Sequence, residues 1–311
     1  MRIVSLVPAG TEILFALGLE RDVVAVSHEC DYPAEARVLP RLTRSAIDGA
    51  HRASAAIDAA VGARKAAGAP LYDIDANQLT ALSPDLILTQ GLCDVCAVPS
   101  RAVRAALAQM SPRPPIVSLD GRSLDDIFES IREIGEATGR VACASDVIAT
   151  LRQRLARVTS AVNDCPPVRV VCLEWLDPPY ACGHWIPEMV SLAGGVDLLG
   201  RPGIPSVPLS WSAVRDANSP NIMAMPCGFT LERTMEELEA VARQPAWRDA
   251  IREATVYAVA GGGYFTRPGP RLVTGIELLA AAFHPDRVSW PLPADGLRQW
   301  CSGSHLLTNP L

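Results

Sequence analysis

The 311-residue sequence has no run approaching the ~20 consecutive apolar residues that a membrane-spanning helix needs. It has no block of lysine or arginine, and its net charge is −6. A nucleic-acid partner, which demands a positive stripe against the phosphates, is therefore not expected. It contains no Gly-x-Ser-x-Gly, no Walker loop and no His-Glu-x-x-His, so the familiar catalytic signatures are missing. Cys93-x-x-Cys96 has no second Cys-x-x-Cys to complete a structural zinc site. The nine cysteines are odd in number and do not resemble the framework of a small secreted scaffold. The chain begins Met1-Arg2-Ile3-Val4-Ser5-Leu6-Val7-Pro8, an apolar run too short for a leader, with no cleavage site or lipid-anchor cysteine after it. With Met1 as the true start, the expectation is a cytosolic protein with reduced thiols.

What is present is a chain 49% apolar and 20% charged, the balance of a globular protein with sizeable cores. Its length suggests two domains. Short apolar runs at residues 3–7, 23–27, 86–89 and 116–119 alternate with helical patterns, which implies a parallel sheet covered on both faces. After the first run, Pro8-Ala9-Gly10-Thr11 reads as a turn, with Thr11 capping a helix that follows. Residues 123–163 contain no proline and carry Ile127, Ile131, Ile134, Val147, Ile148, Leu151, Leu155 and Val158 at helical spacing. Ser123 and Asp126 suit the start of this segment, and Gly135 and Gly139 leave open whether it is one helix or two. A second set follows: strands at 168–173, 222–225 and 256–260, and helices at 188–193 and 231–243. Leu82-Ser83-Pro84-Asp85-Leu86 and Asn218-Ser219-Pro220-Asn221-Ile222 repeat one rhythm of helix end, Ser-Pro turn and buried strand. The expected architecture is α/β: two similar lobes with mainly parallel sheets, residues 1–121 and 165–311, joined by a bridging helix over 122–164. The proline-rich stretch after Phe283 reads as either a packed tail or disorder.

Open parallel sheets bind ligands beyond the carboxyl ends of their strands. Those positions here hold Pro8, Ala9 and Thr11, then His28 and Glu29, then Gln90, Cys93 and Cys96. In the second half they hold Tyr180, Cys182, His184, Trp185, Cys227, Tyr264 and Phe265. Polar, thiol and aromatic groups at so many strand ends point to one cleft between the lobes. Tyr180, Trp185, Trp211, Tyr264 and Phe265 would suit a large planar ligand, whereas Trp175 and Trp247 read as core. Cys93, Cys96, His184 and Cys227 are the candidate metal ligands, and thiols near a ligand are the alternative. His28 and His184 could each ligate a transition metal or simply hydrogen-bond the loop. Glu29 and Glu188 could hydrogen-bond ligand amides or be solvated. Gly261-Gly262-Gly263 lacks dinucleotide spacing and would let backbone approach a ligand closely.

Ser5-Leu6-Val7-Pro8-Ala9-Gly10-Thr11-Glu12, Asp31-Tyr32-Pro33, Asp177-Pro178-Pro179-Tyr180-Ala181-Cys182-Gly183 and Tyr264-Phe265-Thr266-Arg267-Pro268-Gly269-Pro270-Arg271 resemble the class III periplasmic binding proteins. The resemblance covers almost the whole chain and is strongest to the cobalamin-binding branch. It implies two lobes bridged by a helix and a ligand, cobalamin or a related corrinoid, held between them. The branch's cleft aromatics fall on Glu29, Gln90, Tyr180 and Tyr264, two of which are aromatic here. The glutamates with which such proteins dock onto an ABC permease fall on Asn77 and Ala213, neither able to make a charge-assisted bond. The resemblance thus implies a small-molecule corrinoid binder or carrier without catalytic residues and without permease docking at those positions. Two alternatives remain: a metal- or thiol-dependent enzyme on the same fold, built on Cys93, Cys96, His184 and Cys227, and an ABC-importer receptor for cobalamin or iron complexes.

Overall fold

The computed structural model describes residues 1–47, 53–92, 98, 100–108 and 110–301. The chain divides into two compact units. The first is built from Met1–Arg52, Ala59–Thr150 and Pro268–Pro270, the second from Ala53–Asp58, Leu151–Arg267 and Arg271–Leu311.

The first unit opens with β1 (Ile3–Ser5), α1 (Pro8–Ala16) and β2 (Val23–Val26). Ile3, Val4, Ala25 and Val26 are fully buried, as strands covered on both faces must be. The helix starts four residues earlier than the sequence suggests. Pro8 occupies its first turn, where a fixed φ helps and the missing N–H costs nothing. Thr11 is therefore inside the helix, and the N-cap is Val7, without a side-chain bond. A small antiparallel pair, β3 (Thr43–Ser45) and β4 (Tyr72–Ile74), lies either side of α2 (Ser54–Ala66) in the chain. There follow α3 (Ala76–Leu82), β5 (Leu86–Thr89), α4 (Ser100–Ala106) and β6 (Ile116–Ser118). The main sheet has the order β2-β1-β5-β6 and is parallel throughout.

The proline-free segment is two helices, α5 (Leu124–Ala137) and α6 (Val141–Val162), which decides between the two alternatives that Gly135 and Gly139 leave open. Ser123 and Asp126 form a reciprocal capping box at the start of α5, satisfying two orphan N–H groups. Gly139, at φ +68°, makes the left-handed turn that ends it. Gly135 stays within α5, where a Cβ would come 2.5 Å from that of Ala144, so glycine lets the two helices approach. The division between the units falls within α6, at Thr150 and Leu151.

The second unit contains β7 (Val168–Leu176), β8 (Pro179–Ala181), α7 (Ile186–Leu192), β9 (Gly195–Asp197), β10 (Val207–Pro208), α8 (Trp211–Asp216), β11 (Asn221–Ala224), α9 (Leu231–Val241), α10 (Pro245–Ile251), β12 (Thr255–Val259), α11 (Gly261–Tyr264), α12 (Leu272–Phe283) and β13 (Leu297–Trp300). Its sheet runs β10-β8-β7-β11-β12-β13, with β9 also on β7. The strands β7, β9, β11 and β12 are parallel, while β8, β10 and β13 add antiparallel edges. The stretch after Phe283 is thus packed at least to Trp300, whose strand completes the sheet on β12. Glu277 of α12 is buried and receives Arg154 Nη2 at 2.6 Å and Arg157 Nη2 at 2.7 Å, which fixes the later half of α6 to this unit.

The repeated Ser-Pro turns do matching work. Asp85 Oδ2 accepts the Arg2 N–H at 2.7 Å just before β1, and Asn221 Nδ2 donates to Arg169 O at 3.1 Å in β7. In each unit the residue after the Ser-Pro pair ties one central strand to the beginning of its neighbour.

Candidate functional site

In the first unit the loops beyond β1 and β2 meet through small polar side chains. The Thr11 hydroxyl donates to Ser5 Oγ at 2.9 Å and lies 3.1 Å from Cys30 Sγ, which is 3.2 Å from Ser27 Oγ. All four are nearly or fully buried. Pro8, Ala9 and Thr11 are buried with them, so these three build the floor of the loop region and present little to solvent. Gly10 sits closely packed there: a Cβ would come to 3.1 Å from the Ser5, Val7 and Leu88 side chains, which would have to give by a few tenths of an ångström.

His28 and Glu29 stand beyond β2. His28 Nδ1 is 2.7 Å from Thr43 Oγ1 and Nε2 is 3.4 Å from Glu29 Oε1. Its ring packs on Tyr72, with centroids 5.5 Å apart. Burial holds the imidazole below its ordinary pKa range; Glu29 pulls it up and Arg41 pushes it further down. The neutral imidazole is favoured, with Nδ1 engaged by Thr43 and Nε2 buried without a hydrogen-bond partner. Glu29 is exposed, while Gln90, beyond β5, is only 4% exposed. Cys93 and Cys96 lie outside the described residues.

In the second unit the strand ends carry larger groups. The Tyr180 hydroxyl donates to Asp58 Oδ1 at 3.3 Å, and burial, followed by that carboxylate, raises its pKa. Trp175, expected in the core, is half-buried: its indole N–H donates to Ser54 O at 3.2 Å and its ring meets Phe229 edge-on. Tyr264 donates to Asp295 Oδ1 at 3.0 Å, with the Arg271 guanidinium 5.4 Å from its ring. Cys227 and His184 are part-exposed, and His184 holds a left-handed φ of +50°. Glu188 is half-buried in the first turn of α7.

Other aromatic candidates belong to the interior. Phe265 is fully buried, and the Trp185 indole, 5% exposed, donates to its carbonyl at 2.7 Å, locking two loops together. Trp211 packs edge-on against Trp247 with centroids 5.1 Å apart, and Trp300 lies 6.4 Å beyond Trp247, so Trp211 joins Trp247 at the core. Cys182 is 2% exposed and faces Cys172. These four side chains therefore shape the loops from within. Among the described residues no three His, Cys, Asp or Glu side chains come together as a metal site, and the candidate ligands Cys93 and Cys96 lie outside those residues.

A family model described as "periplasmic binding protein" matches residues 3–260. The chain belongs to the periplasmic binding protein family. A vitamin B12-binding protein of Vibrio cholerae is 26% identical to this binding protein over 285 residues, covering 89% of this chain and 86% of its own. A cobalamin-binding protein of Halobacterium salinarum is 24% identical, covering 91% and 69% respectively. The crystal structure of the periplasmic vitamin B12-binding protein of Vibrio cholerae superposes with a TM-score of 0.64 at 24% identity, covering 91% of this chain and 96% of that one. These relatives are binding proteins, and the structural likeness establishes the fold.

Several residues that organise the loops of this binding protein carry no signal in the sequence. Arg41 Nη1 donates to three carbonyls of one loop, those of Ser27 at 2.7 Å, Cys30 at 2.8 Å and His28 at 3.1 Å. Glu237, buried in α9, accepts the backbone N–H of Ser54 at 3.0 Å and its hydroxyl as well. Glu174 accepts Ser206 Oγ at 2.5 Å. An isolated arginine or glutamate reads as solvated until the fold supplies its partners. Of the two positions aligned with permease-docking glutamates, Asn77 is exposed in the first turn of α3 and Ala213 is half-buried in α8.

Proposed function

We propose that this substrate-binding protein takes cobalamin or a related corrinoid as its ligand. The observation that carries the reading is the likeness, over 89% of the chain, to vitamin B12-binding proteins. The strand ends support it. Tyr180, Trp175 and Tyr264 offer part-exposed aromatic faces with polar tips, which suit a ligand that is a broad ring edged with amides. Glu29 adds an exposed acceptor from the first unit. Recognition of this kind rests on apolar area and hydrogen bonds, with no bond made or broken in the ligand.

The uncharged Asn77 and Ala213 support a protein that does not dock on a permease through those two positions. The test is direct. Protein mixed with aquocobalamin, cyanocobalamin or cobinamide should shift the visible spectrum of the corrinoid and carry it through gel filtration. Retention of haem but of no corrinoid would reject the proposed ligand, and retention of neither would reject the ligand class.

A further inference from the structure

The interior of the second unit holds a thiol pair that ligand binding does not use. Cys172 lies in β7 and Cys182 directly follows β8. The antiparallel register that sets Leu173 against Ala181 sets Cys172 against Cys182. The Cys182 N–H donates to Cys172 O at 3.4 Å. Directly opposed residues of such a pair send their side chains to the same face. Opposed residues that share a ladder bond have Cα atoms about 5.5 Å apart, inside the span a disulfide bridges. Both residues are present as free cysteines.

Asp197 closes the third side. It ends β9, which holds the first part of β7's edge before β8 takes over the rest. Its Oδ1 accepts N–H groups of Gly200 at 3.1 Å, Leu199 at 3.2 Å and Cys172 at 3.5 Å. Its Oδ2 is buried with no hydrogen-bond partner. The same oxygen forbids a side chain at Gly200, where a Cβ would lie 2.1 Å away. A carboxylate is thus built into the wall beside the two sulfurs, and it can take up a proton released from them.

We propose that Cys172 and Cys182 form a cross-strand redox couple, closed as a disulfide when the unit folds among oxidising disulfides and left as two thiols when it folds in reductant. The oxidant is a small disulfide of the glutathione class. The Cys182 sulfur, after losing its proton, attacks one sulfur of the small disulfide. This forms a mixed disulfide and expels the first small thiolate. The deprotonated Cys172 sulfur then attacks the mixed disulfide at Cys182, forms the cross-strand bond and expels the second. The protein gives up two electrons and two protons, and the small disulfide leaves as two thiols.

Burial makes folding the decisive moment. Cys172 is 0% exposed and Cys182 2%, so neither meets an oxidant or a reductant while the sheet is closed. The Cys182 thiol draws the Cys172 pKa down, but burial and Asp197 outweigh it and push that pKa to about 11. Burial raises Cys182 as well. The thiolate needed for exchange is therefore scarce in the folded protein. The couple would record the redox state of the compartment in which the chain folded, and would tether β8, which carries Tyr180, and the loop after it, which carries His184.

The test starts from protein unfolded in guanidinium and fully reduced. One sample refolds in glutathione disulfide with glutathione, another in dithiothreitol; free thiols are blocked, and the digests are mapped by mass spectrometry. The oxidised sample should yield the Cys172 and Cys182 peptides joined, two hydrogens lighter than their sum, and should unfold at a higher temperature than the reduced one. In Cys182→Ala the oxidised and reduced samples should unfold at the same temperature. Cys172→Ala serves if that variant does not fold. Recovery of both peptides blocked after oxidising refolding, or joined to other cysteines, would overturn the couple. Native protein that oxidises at these cysteines as fast as refolding protein would overturn the folding gate.

Discussion

In the first unit the loops beyond the strands are tied by short neutral groups: Ser5, Thr11, Ser27 and Cys30 meet in one buried cluster, and a single guanidinium, Arg41, gathers three carbonyls. In the second unit the same task falls to carboxylates and indoles. Glu237 holds Ser54, Glu174 holds Ser206, Trp185 holds Phe265, and Glu277 holds two arginines of α6. The difference has an energetic meaning. Exchanging one neutral hydrogen bond for water costs about 1 kcal/mol, whereas leaving a buried ionic group without its partners costs several times that. The second unit is therefore the one whose loops are most sensitive to single substitutions and to pH.

Four measurements sharpen or break this contrast. The largest effect is expected for Glu277→Ala. It leaves Arg154 and Arg157 without the buried carboxylate they share, and stability measured by guanidinium unfolding should fall by roughly 3–5 kcal/mol. A loss under about 1 kcal/mol would place this cluster with ordinary surface pairs.

Asp197 comes next. Burial raises its pKa to about 6, against opposing N–H bonds from Gly200, Leu199 and Cys172. A carboxyl whose folded pKa lies above its unfolded value destabilises the fold when ionised. Its contribution to stability is therefore most favourable below about pH 4 and declines as pH rises through about 6, by on the order of 2–3 kcal/mol in all. Unfolding curves from pH 4 to 7.5 should show this component, and Asp197→Asn should remove it. An unchanged pH profile in Asp197→Asn would show that this carboxylate is not the strained group.

Ligand contacts give the third comparison. Tyr180→Ala and Tyr264→Ala should each weaken corrinoid binding about tenfold, near the 1.4 kcal/mol that such a factor represents, in a spectroscopic titration. Glu29→Ala should weaken it by a smaller factor, because an exposed carboxylate exchanges ligand for water. The reverse order would shift the recognition to the first unit. Thr11→Val is the smallest change. It keeps the shape and removes the hydroxyl from the Ser5–Cys30 cluster, for about 1 kcal/mol in unfolding. A cost as large as that of Glu277→Ala would erase the contrast between the units.

Much of the fold was legible because it depends on local pattern. Buried parallel strands show as unbroken apolar runs, and β1, β2, β5, β6, β7, β11 and β12 lie where such runs stand, within a few residues. The capping box at Ser123 and Asp126 was readable for the same reason, since its atoms are three residues apart. The start of α1 was misplaced because Pro8-Ala9-Gly10 carries turn composition, yet proline in a first helical turn is equally sound chemistry. The short antiparallel edges β8, β10 and β13 left no readable signal, being two to four residues long.

The strand-end loops that carry the candidate residues were legible, whereas the burial of their side chains was not. Strand ends could be found from the strands, and the residues there named. Trp185, Trp211 and Phe265 have the composition of a ligand wall and the burial of a core, and only packing partners far along the chain separate the two. Arg41, Glu174 and Glu237 posed the opposite problem, since long charged side chains are solvated unless a distant group meets them.

By itself the amino-acid order determined the α/β class, the succession of buried strands and covering helices, the repeated Ser-Pro turns and the membership of the periplasmic binding proteins. All of these rest on residue types and spacings within a few turns of chain. Only the tertiary structure decided which aromatics face inward, that helices α5 and α6 part at Gly139, and that Cys172 and Cys182 stand opposite one another beside Asp197. Those facts follow from strand register and sheet order, and a shift of one residue would turn every side chain of a strand to its other face.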